Sequence, residues 1–267
     1  MVEKVTVLFI GDIYAKPGRM AVRKLLPELR EKFKPDIVIA NAENVAGGFG
    51  ITENLALKLF RYGVDVITLG NHTWNKREDL GDALDKYEYL LRPANYPPGN
   101  QGHGSTIFTS PSGVKIGVIN LMGRVFMPTT DCPFRVGLDH IDRIKSETPI
   151  IIVDFHGEAT SEKIAMGRFL DGMVSAVIGT HTHVQTADEQ ILRGGTAYIT
   201  DCGMTGPHDS VIGIKTHLSI EHLLKSIQVR FEPATGGVRL QGVVVEIDKK
   251  TAKATSIKRI NIPVEIE

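Results

Sequence analysis

The sequence predicts an α/β fold of two sheets packed together in one domain spanning residues 1–267. Three observations predict it. Short, nearly continuous apolar runs alternate with amphipathic stretches through the first half, the β-α-β-α-β pattern of a parallel sheet flanked by helices. The second half changes to paired strands around turn residues, which suits antiparallel pairing and a second sheet. No apolar segment approaches about 18 residues, and no repeat or low-complexity tract interrupts the chain, so a membrane span and a solenoid are not expected.

Residues 5–10 (VTVLFI) read as a strand buried on both faces, ending in Gly11-Asp12. Residues 19–33 carry Val22, Leu25, Leu26 and Leu29 at helical spacing, with Pro27 a local flaw. A second strand, 37–40, ends in Asn41-Ala42-Glu43-Asn44. Thr52 suits the N-cap of a helix over 53–61, and Gly63 its stop. A third strand, 64–69, ends in Gly70-Asn71-His72; a helix over 76–87 and a short strand, 89–92, follow. Residues 105–110 and 114–121 flank Pro111-Ser112-Gly113 as a hairpin. Another buried strand, 150–155, ends at His156, a helix spans 161–170, and the run 176–179 ends in Thr180-His181-Thr182-His183. Residues 195–200 lead to Asp201-Cys202-Gly203, and alternating strands close the chain over 238–266, turning at 248–252.

Composition narrows the function. With 31 Lys+Arg against 31 Asp+Glu the formal net charge is zero, which removes the basic footprint of a nonspecific nucleic-acid binder yet leaves room for a local phosphate site. A chain of this length buries roughly three quarters of its unfolded surface, enough for a core without metal or disulfide staples. Cys132 and Cys202 lie far apart and form no CxxC, so no disulfide scaffold is expected. The apolar start holds Glu3 and Lys4 and has no basic n-region or cleavage site, so a signal peptide is not expected, and a cytoplasmic location is.

One regularity carries the chemistry. Five apolar runs each finish in residues able to ligate a metal: Asp12, Glu43-Asn44, Asn71-His72, His156, and His181 with His183. Open α/β sheets bind ligands at the carboxyl ends of their strands, so parallel neighbours would converge these side chains on one rim. Mixed carboxylate, amide and imidazole donors suit Fe, Mn, Zn or Ni rather than soft, thiolate-bound ions. Seven donors, with His72 weighed separately, exceed what one tetrahedral zinc takes, whereas two ions sharing a carboxylate use them naturally and clamp a phosphoryl group for in-line attack.

Gly11-Asp12, Gly70-Asn71-His72 and Gly179-Thr180-His181-Thr182-His183, with His156 between the last two, resemble the motifs of the calcineurin-like metallophosphoesterases. Two departures stand out: Tyr14 replaces the histidine of the first motif, and Asn41-Ala42-Glu43-Asn44 replaces the second. Both match the YmdB-like phosphodiesterase subgroup over essentially the whole chain, as do Gly70-Asn71-His72-Thr73-Trp74 and the segment 200–206. The resemblance implies a four-layer α/β/β/α sandwich of two mixed sheets with flanking helices. It implies Glu43 as a bridging carboxylate, with Asp12, Asn44 and His183 on one ion and Asn71, His156 and His181 on the other. Asn44 then replaces the imidazole that Tyr14 cannot supply. Two metal ions are implied, iron first, with manganese or zinc as alternatives. The implied activity is hydrolysis of 2′,3′-cyclic nucleotides, with 3′,5′-cyclic nucleotides, other small phosphodiesters and RNA ends left open. The expected mechanism is metal-hydroxide attack on phosphorus with His72 as general acid.

Other readings stay open. A phosphomonoesterase or 5′-nucleotidase could use the same site, and a regulatory or RNA-associated protein could keep a mainly structural metal pair. Trp74 and Phe49 could stack a base, with a core role for Trp74 equally expected; Arg124 and Arg135 could meet phosphate, though a solvated loop arginine is the simpler expectation for each; His208 could overhang the site and is left unassigned. Cys202 lacks an adjacent base and is not expected to be a nucleophile. No membrane partner is expected, and a homo-oligomer is left open.

Overall fold

Buried, β-branched runs become the strands, and the computed structural model, which describes residues 3–266, shows how they layer. In chain order the elements are β1 (Lys4–Ile10), β2 (Asp12–Ile13), α1 (Ala15–Phe33), β3 (Ile37–Asn41), α2 (Glu53–Tyr62), β4 (Val66–Thr68), α3 (Arg77–Leu80), α4 (Ala83–Lys86) and β5 (Leu90–Leu91). There follow β6 (Ser105–Thr109), β7 (Lys115–Met122), α5 (Pro133–Lys145), β8 (Ile151–His156), α6 (Thr160–Phe169), β9 (Ala176–Thr180), β10 (Gln190–Ile191) and β11 (Ala197–Ile199). The chain closes with β12 (Met204–Pro207), α7 (Thr216–Lys225), β13 (Val238–Asp248) and β14 (Ala254–Pro263).

One sheet runs β2-β12-β13-β1-β3-β4-β5 with β14 added against β13, and the other runs β10-β11-β9-β8-β7-β6. Both are mixed: β1, β3, β4 and β5 are parallel while β13 is antiparallel to β1, and β7, β8, β9 and β11 are parallel while β6 and β10 are antiparallel. Strand period two sorts the side chains into layers. Leu8 and Ile10 face a core shared with Val22, Leu26 and Leu59 of α1 and α2, whereas Val7 and Phe9 face a core between the sheets with Val118, Ile152 and Ile178. Ile119, Leu121 and Phe155 point the other way, onto Ile141 and Ile144 of α5 and Met166 of α6. The order helix, sheet, sheet, helix is the expected four-layer sandwich.

Local chemistry sets the boundaries. Thr52 caps α2 by accepting from the Leu55 backbone N–H at 3.3 Å, and Gly63 ends it. Helix α1 starts four residues earlier than its apolar spacing suggests and runs through Pro27. The helix expected over 76–87 is instead two single turns, α3 and α4, because Gly81 interrupts it with an unhelical backbone. Helices α5 and α7 lie where no helix was expected. Cys132 and Cys202 are both free thiols, and no helix among the described residues is long and apolar enough to cross a membrane.

A half-buried histidine outside the site gives the fold a pH limb. His140 on α5 lies 2.7 Å from the Ser105 hydroxyl of β6, and burial, aided by Arg143 and Arg92, pulls its pKa from 6.5 down to about 4. Between those values the unfolded chain binds more protons than the folded one, so stability falls as pH drops through this window. Allowing for partial exposure, the loss is about 1–2 kcal/mol. Urea midpoints at pH 7 and pH 4 should therefore converge in His140→Gln relative to the parent; equal pH dependence in both contradicts this.

Candidate metal centre

Strands of both sheets deliver the site. Asp12 follows β1, Glu43 and Asn44 follow β3, and Asn71 and His72 lie just past β4, all in one sheet. His156 ends β8 and His181 follows β9 in the other sheet. The rim is thus assembled across two stacked sheets rather than along the edge of one, which is the difference from the single-rim expectation.

His156 sits at the centre and is fully buried. Its Nδ1 lies 2.9 Å from the Thr180 hydroxyl, which donates to Asp154 Oδ1 at 2.7 Å. That chain marks Nδ1 as the protonated nitrogen and turns Nε2 toward Glu43, Asn71 and His181. Around Nε2 stand Glu43 Oε1 at 3.1 Å, Asn71 Oδ1 at 3.0 Å and His181 Nδ1 at 3.0 Å. A proton on Nε2 could serve only one of these three acceptors. Glu43, His156 and His181 meet the spacing needed for a common ion. Beside them, Asp12 is fully buried; its Oδ2 accepts from the His181 backbone N–H at 3.1 Å, while its Oδ1 has no hydrogen-bond partner in the protein. That orphaned oxygen lies 3.8 Å from His183 Nε2, which is itself 3.1 Å from the Asn44 amide. Buried oxygens and imidazole nitrogens facing one another in this way suit a shared cation. The residues present fit divalent metal.

The electrostatics agree. Burial pushes Asp12 up to about 6. Burial also acts to raise Glu43, but the His156 charge and hydrogen bond outweigh it and hold the carboxyl well below its usual range. For His156 burial acts downward, and Glu43 overcomes it and lifts the pKa to about 9. Burial and the neighbouring His156 charge pull His181 down to about 3. The cluster therefore balances a carboxylate with a positive imidazole, the charge that a metal ion supplies when these groups act as ligands.

Several supporting residues escaped the sequence reading. Glu158 Oε2 lies 3.0 Å from His181 Nε2, so that nitrogen donates to the carboxylate and leaves Nδ1 facing Glu43 and His156, the carboxylate–histidine arrangement typical behind metal ligands. Asp154 also accepts from Asn41 Nδ2 at 3.1 Å and from the Thr68 hydroxyl, tying the two sheets together beneath the site. Asp201 is buried and accepts from Lys163 Nζ at 2.7 Å, the Thr182 N–H at 3.0 Å, the Thr182 hydroxyl at 2.8 Å and the Gly203 N–H at 2.8 Å. It anchors Thr182 between His181 (φ 102°) and His183 (φ 64°), two left-handed non-glycine residues whose strain must be met by such contacts. A carboxylate near a strand end was the readable signal for Glu158 and Asp201; a lone lysine on α6 gave none.

His72 lines the cleft, its backbone N–H donating to Glu43 Oε2 at 2.9 Å and its ring edge-on to Phe49. Trp74 packs against the core and Tyr96, which is the core role. Arg124 approaches Cys132 Sγ at 3.7 Å, and neither it nor Arg135 lines the cleft; His208 instead meets the Met204 carbonyl at 3.1 Å. Cys202 is buried, and burial raises its thiol pKa, consistent with an inert residue. The cleft holds about 300 Å³, and no Lys or Arg among the described residues lines it. A larger cavity of about 690 Å³ between Lys24, Arg239 and Glu265 contains no histidine.

A family model for YmdB-like protein matches residues 8–260. The chain belongs to the YmdB-like family. It is 48% identical over 256 residues, covering 96% of both chains, to a 2′,3′-cyclic-nucleotide 2′-phosphodiesterase of Bacillus subtilis (strain 168). A crystal structure of a novel phosphatase from Mycoplasma pneumoniae is similar at a TM-score of 0.92 and 39% identity, over 98% of this chain and 95% of that one. A hypothetical protein from Thermus thermophilus gives a TM-score of 0.87 at 38% identity, over 98% and 100%. The 5′-nucleotidase precursor of the same organism shares the fold alone, with a TM-score of 0.56 at 11% identity, over 98% of this chain and 55% of that one.

Gly70 marks how tightly this YmdB-like centre is packed. A Cβ there would lie 2.3 Å from His156 Nε2 and 2.4 Å from Glu43 Oε2. Gly70→Ala is expected to lower metal affinity about 10- to 100-fold, measured by elemental analysis after gel filtration of metal-loaded protein. Metal content equal to the parent contradicts that.

Proposed function

We propose that this chain is a cytoplasmic, single-domain enzyme that binds two divalent metal ions and hydrolyses 2′,3′-cyclic nucleotides. Hydrolysis of phosphodiesters is the class to which the family points; the substrate, the second ion and the residue roles are the proposal. The observation that carries it is the meeting of His156, Glu43, Asn71 and His181 around one point beside the unpartnered Asp12 oxygen. We assign Asn71, His156 and His181 to one ion, Asp12, Asn44 and His183 to the other, and Glu43 to both. Iron is the favoured metal, with manganese or zinc able to use the same donors.

Such ions, when bound, polarise phosphoryl oxygens and make water a nucleophile near neutral pH. The protein does the rest. Glu43 and Glu158 make a cleft without Lys or Arg unfavourable for an anion, so phosphate recognition depends on the metal charge. His183 Nδ1 donates to the Ile212 carbonyl at 2.8 Å, which fixes the ring with Nε2 facing Asp12 and Asn44. His72, on the cleft wall, gives its proton to the leaving ester oxygen. In a 2′,3′-cyclic nucleotide, water adds to phosphorus and releases one proton to solvent, the P–O2′ bond breaks, and the 2′-oxygen leaves as a hydroxyl with the His72 proton, which solvent then replaces. The 3′-phosphate remains.

The deciding experiment is turnover of 2′,3′-cyclic, 3′,5′-cyclic and monoester nucleotides by protein of known metal content. Turnover of the 2′,3′-cyclic esters with release of 3′-phosphates is expected. Turnover of monoesters alone would make it a phosphatase. In His72→Ala, the loss should be much larger on nucleotide esters, with their poor leaving groups, than on p-nitrophenyl esters; equal losses would remove His72 as the acid.

A further inference from the structure

Two apolar side chains at the cleft are used by none of the chemistry above. Phe49 rises from the glycine-rich stretch 47–50, its ring edge-on to His72 at 5.0 Å between centroids and 82° between planes. Ile212 lines the same cleft and is 48% exposed.

The backbone makes Ile212 the unusual one. Val211 and Ile214 exchange hydrogen bonds of 2.9 and 3.0 Å around a two-residue hairpin turn, Ile212-Gly213, with φ of 48° and 103°. A two-residue turn with both residues left-handed favours Asn, Asp or Gly at its first position, and a β-branched residue there is strained. The Ile212 carbonyl that orients His183 is backbone and would be present with any residue. The carbonyl therefore does not account for isoleucine at this strained position, and strain of this kind collects at ligand sites.

We propose that Phe49 and Ile212 form a clamp for the nucleobase, the phenyl ring stacking on its face and the isoleucine covering apolar surface at the same mouth. This rests on the reading of the cleft as a site for nucleoside cyclic phosphates. Its cavity of about 300 Å³ lies at the lower end of the range for small-ligand pockets, and its floor takes the phosphodiester. Stacking reads a π face rather than an edge pattern, so base discrimination is weak and purines, with the larger face, bind more tightly than pyrimidines.

The test compares adenosine 2′,3′-cyclic phosphate with glycerol 1,2-cyclic phosphate, which has the ester and no base. Phe49→Ala and Ile212→Gly should lower kcat/KM on the nucleotide about 10- to 100-fold more than on the base-free ester. Phe49→Trp should keep the parent's preference. Ile212→Gly should melt no lower than the parent, because glycine relieves the left-handed backbone. Equal losses on both esters, or a parent that does not distinguish them, would overturn the clamp while the diesterase reading stands. If the parent hydrolysed neither, that reading would fail, and calorimetric binding of adenosine 3′-phosphate would decide the clamp separately. Weakening of about tenfold or more in both variants supports it, and an unchanged Kd overturns it.

Discussion

Glu43→Gln is expected to lower kcat/KM on a 2′,3′-cyclic nucleotide by at least about 1,000-fold, the scale on which single electrostatic groups act at reacting centres. The change removes one oxygen charge and keeps the shape. In the parent, Oε1 faces His156 Nε2 at 3.1 Å and Oε2 accepts the His72 N–H at 2.9 Å, so one carboxylate touches both the ligand cluster and the proposed acid. With an amide there, the proposed pair of ions would lose its shared anion and His156 would lose the charge that lifts its pKa. The fold should survive, because the strands on either side are held by β1, β3 and β4 pairing rather than by the site. Retained activity with normal metal content would remove Glu43 from its central role. Lost activity with a retained biological effect would instead favour the binding-protein reading.

Lys163→Met should have the largest effect on stability. Lys163 and Asp201 are 1% and 0% exposed at their side chains and 2.7 Å apart. Removing one member of such a pair leaves a buried charge uncompensated, at a cost of about 3–5 kcal/mol. For a chain of this size that is roughly a 6–20 °C fall in Tm. Because Asp201 also holds Thr182 by two hydrogen bonds, metal affinity should fall as well, by about tenfold or more. Lys163→Met combined with Asp201→Asn should recover much of the Tm. A Tm within about 2 °C of the parent in the single variant, by calorimetry, contradicts the account.

What the sequence revealed follows from which signals are local. Asp12, Glu43, Asn71, His156 and His181 stand out because each ends an apolar run, and a run's end is a local property. That β8 and β9 belong to a second sheet is a matter of long-range pairing, which apolar runs alone do not encode. Helix α5 carried a readable signal, with Pro133 in its first turn and Leu138, Ile141 and Ile144 at helical spacing. Helix α7 gave a weaker one, because only its Leu218 packs inward, against Tyr14, Met204 and Ile214, while Ile220, Leu223 and Leu224 are exposed, so its apolar residues do not mark one face. Lys163 reads as a solvated helix lysine until the tertiary fold sets it against Asp201. The strain at Ile212 is likewise invisible in a string of letters, since only the turn geometry makes isoleucine the wrong local choice there.

Anomalous diffraction from crystals of metal-loaded protein, collected at the absorption edge of the bound element, tests the central claim most directly. Two peaks about 3.5–4 Å apart are expected. Glu43 should lie between them, with His181 against one and His183 against the other. A single peak, or peaks that leave Asp12 Oδ1 without a metal neighbour, would contradict the two-ion centre.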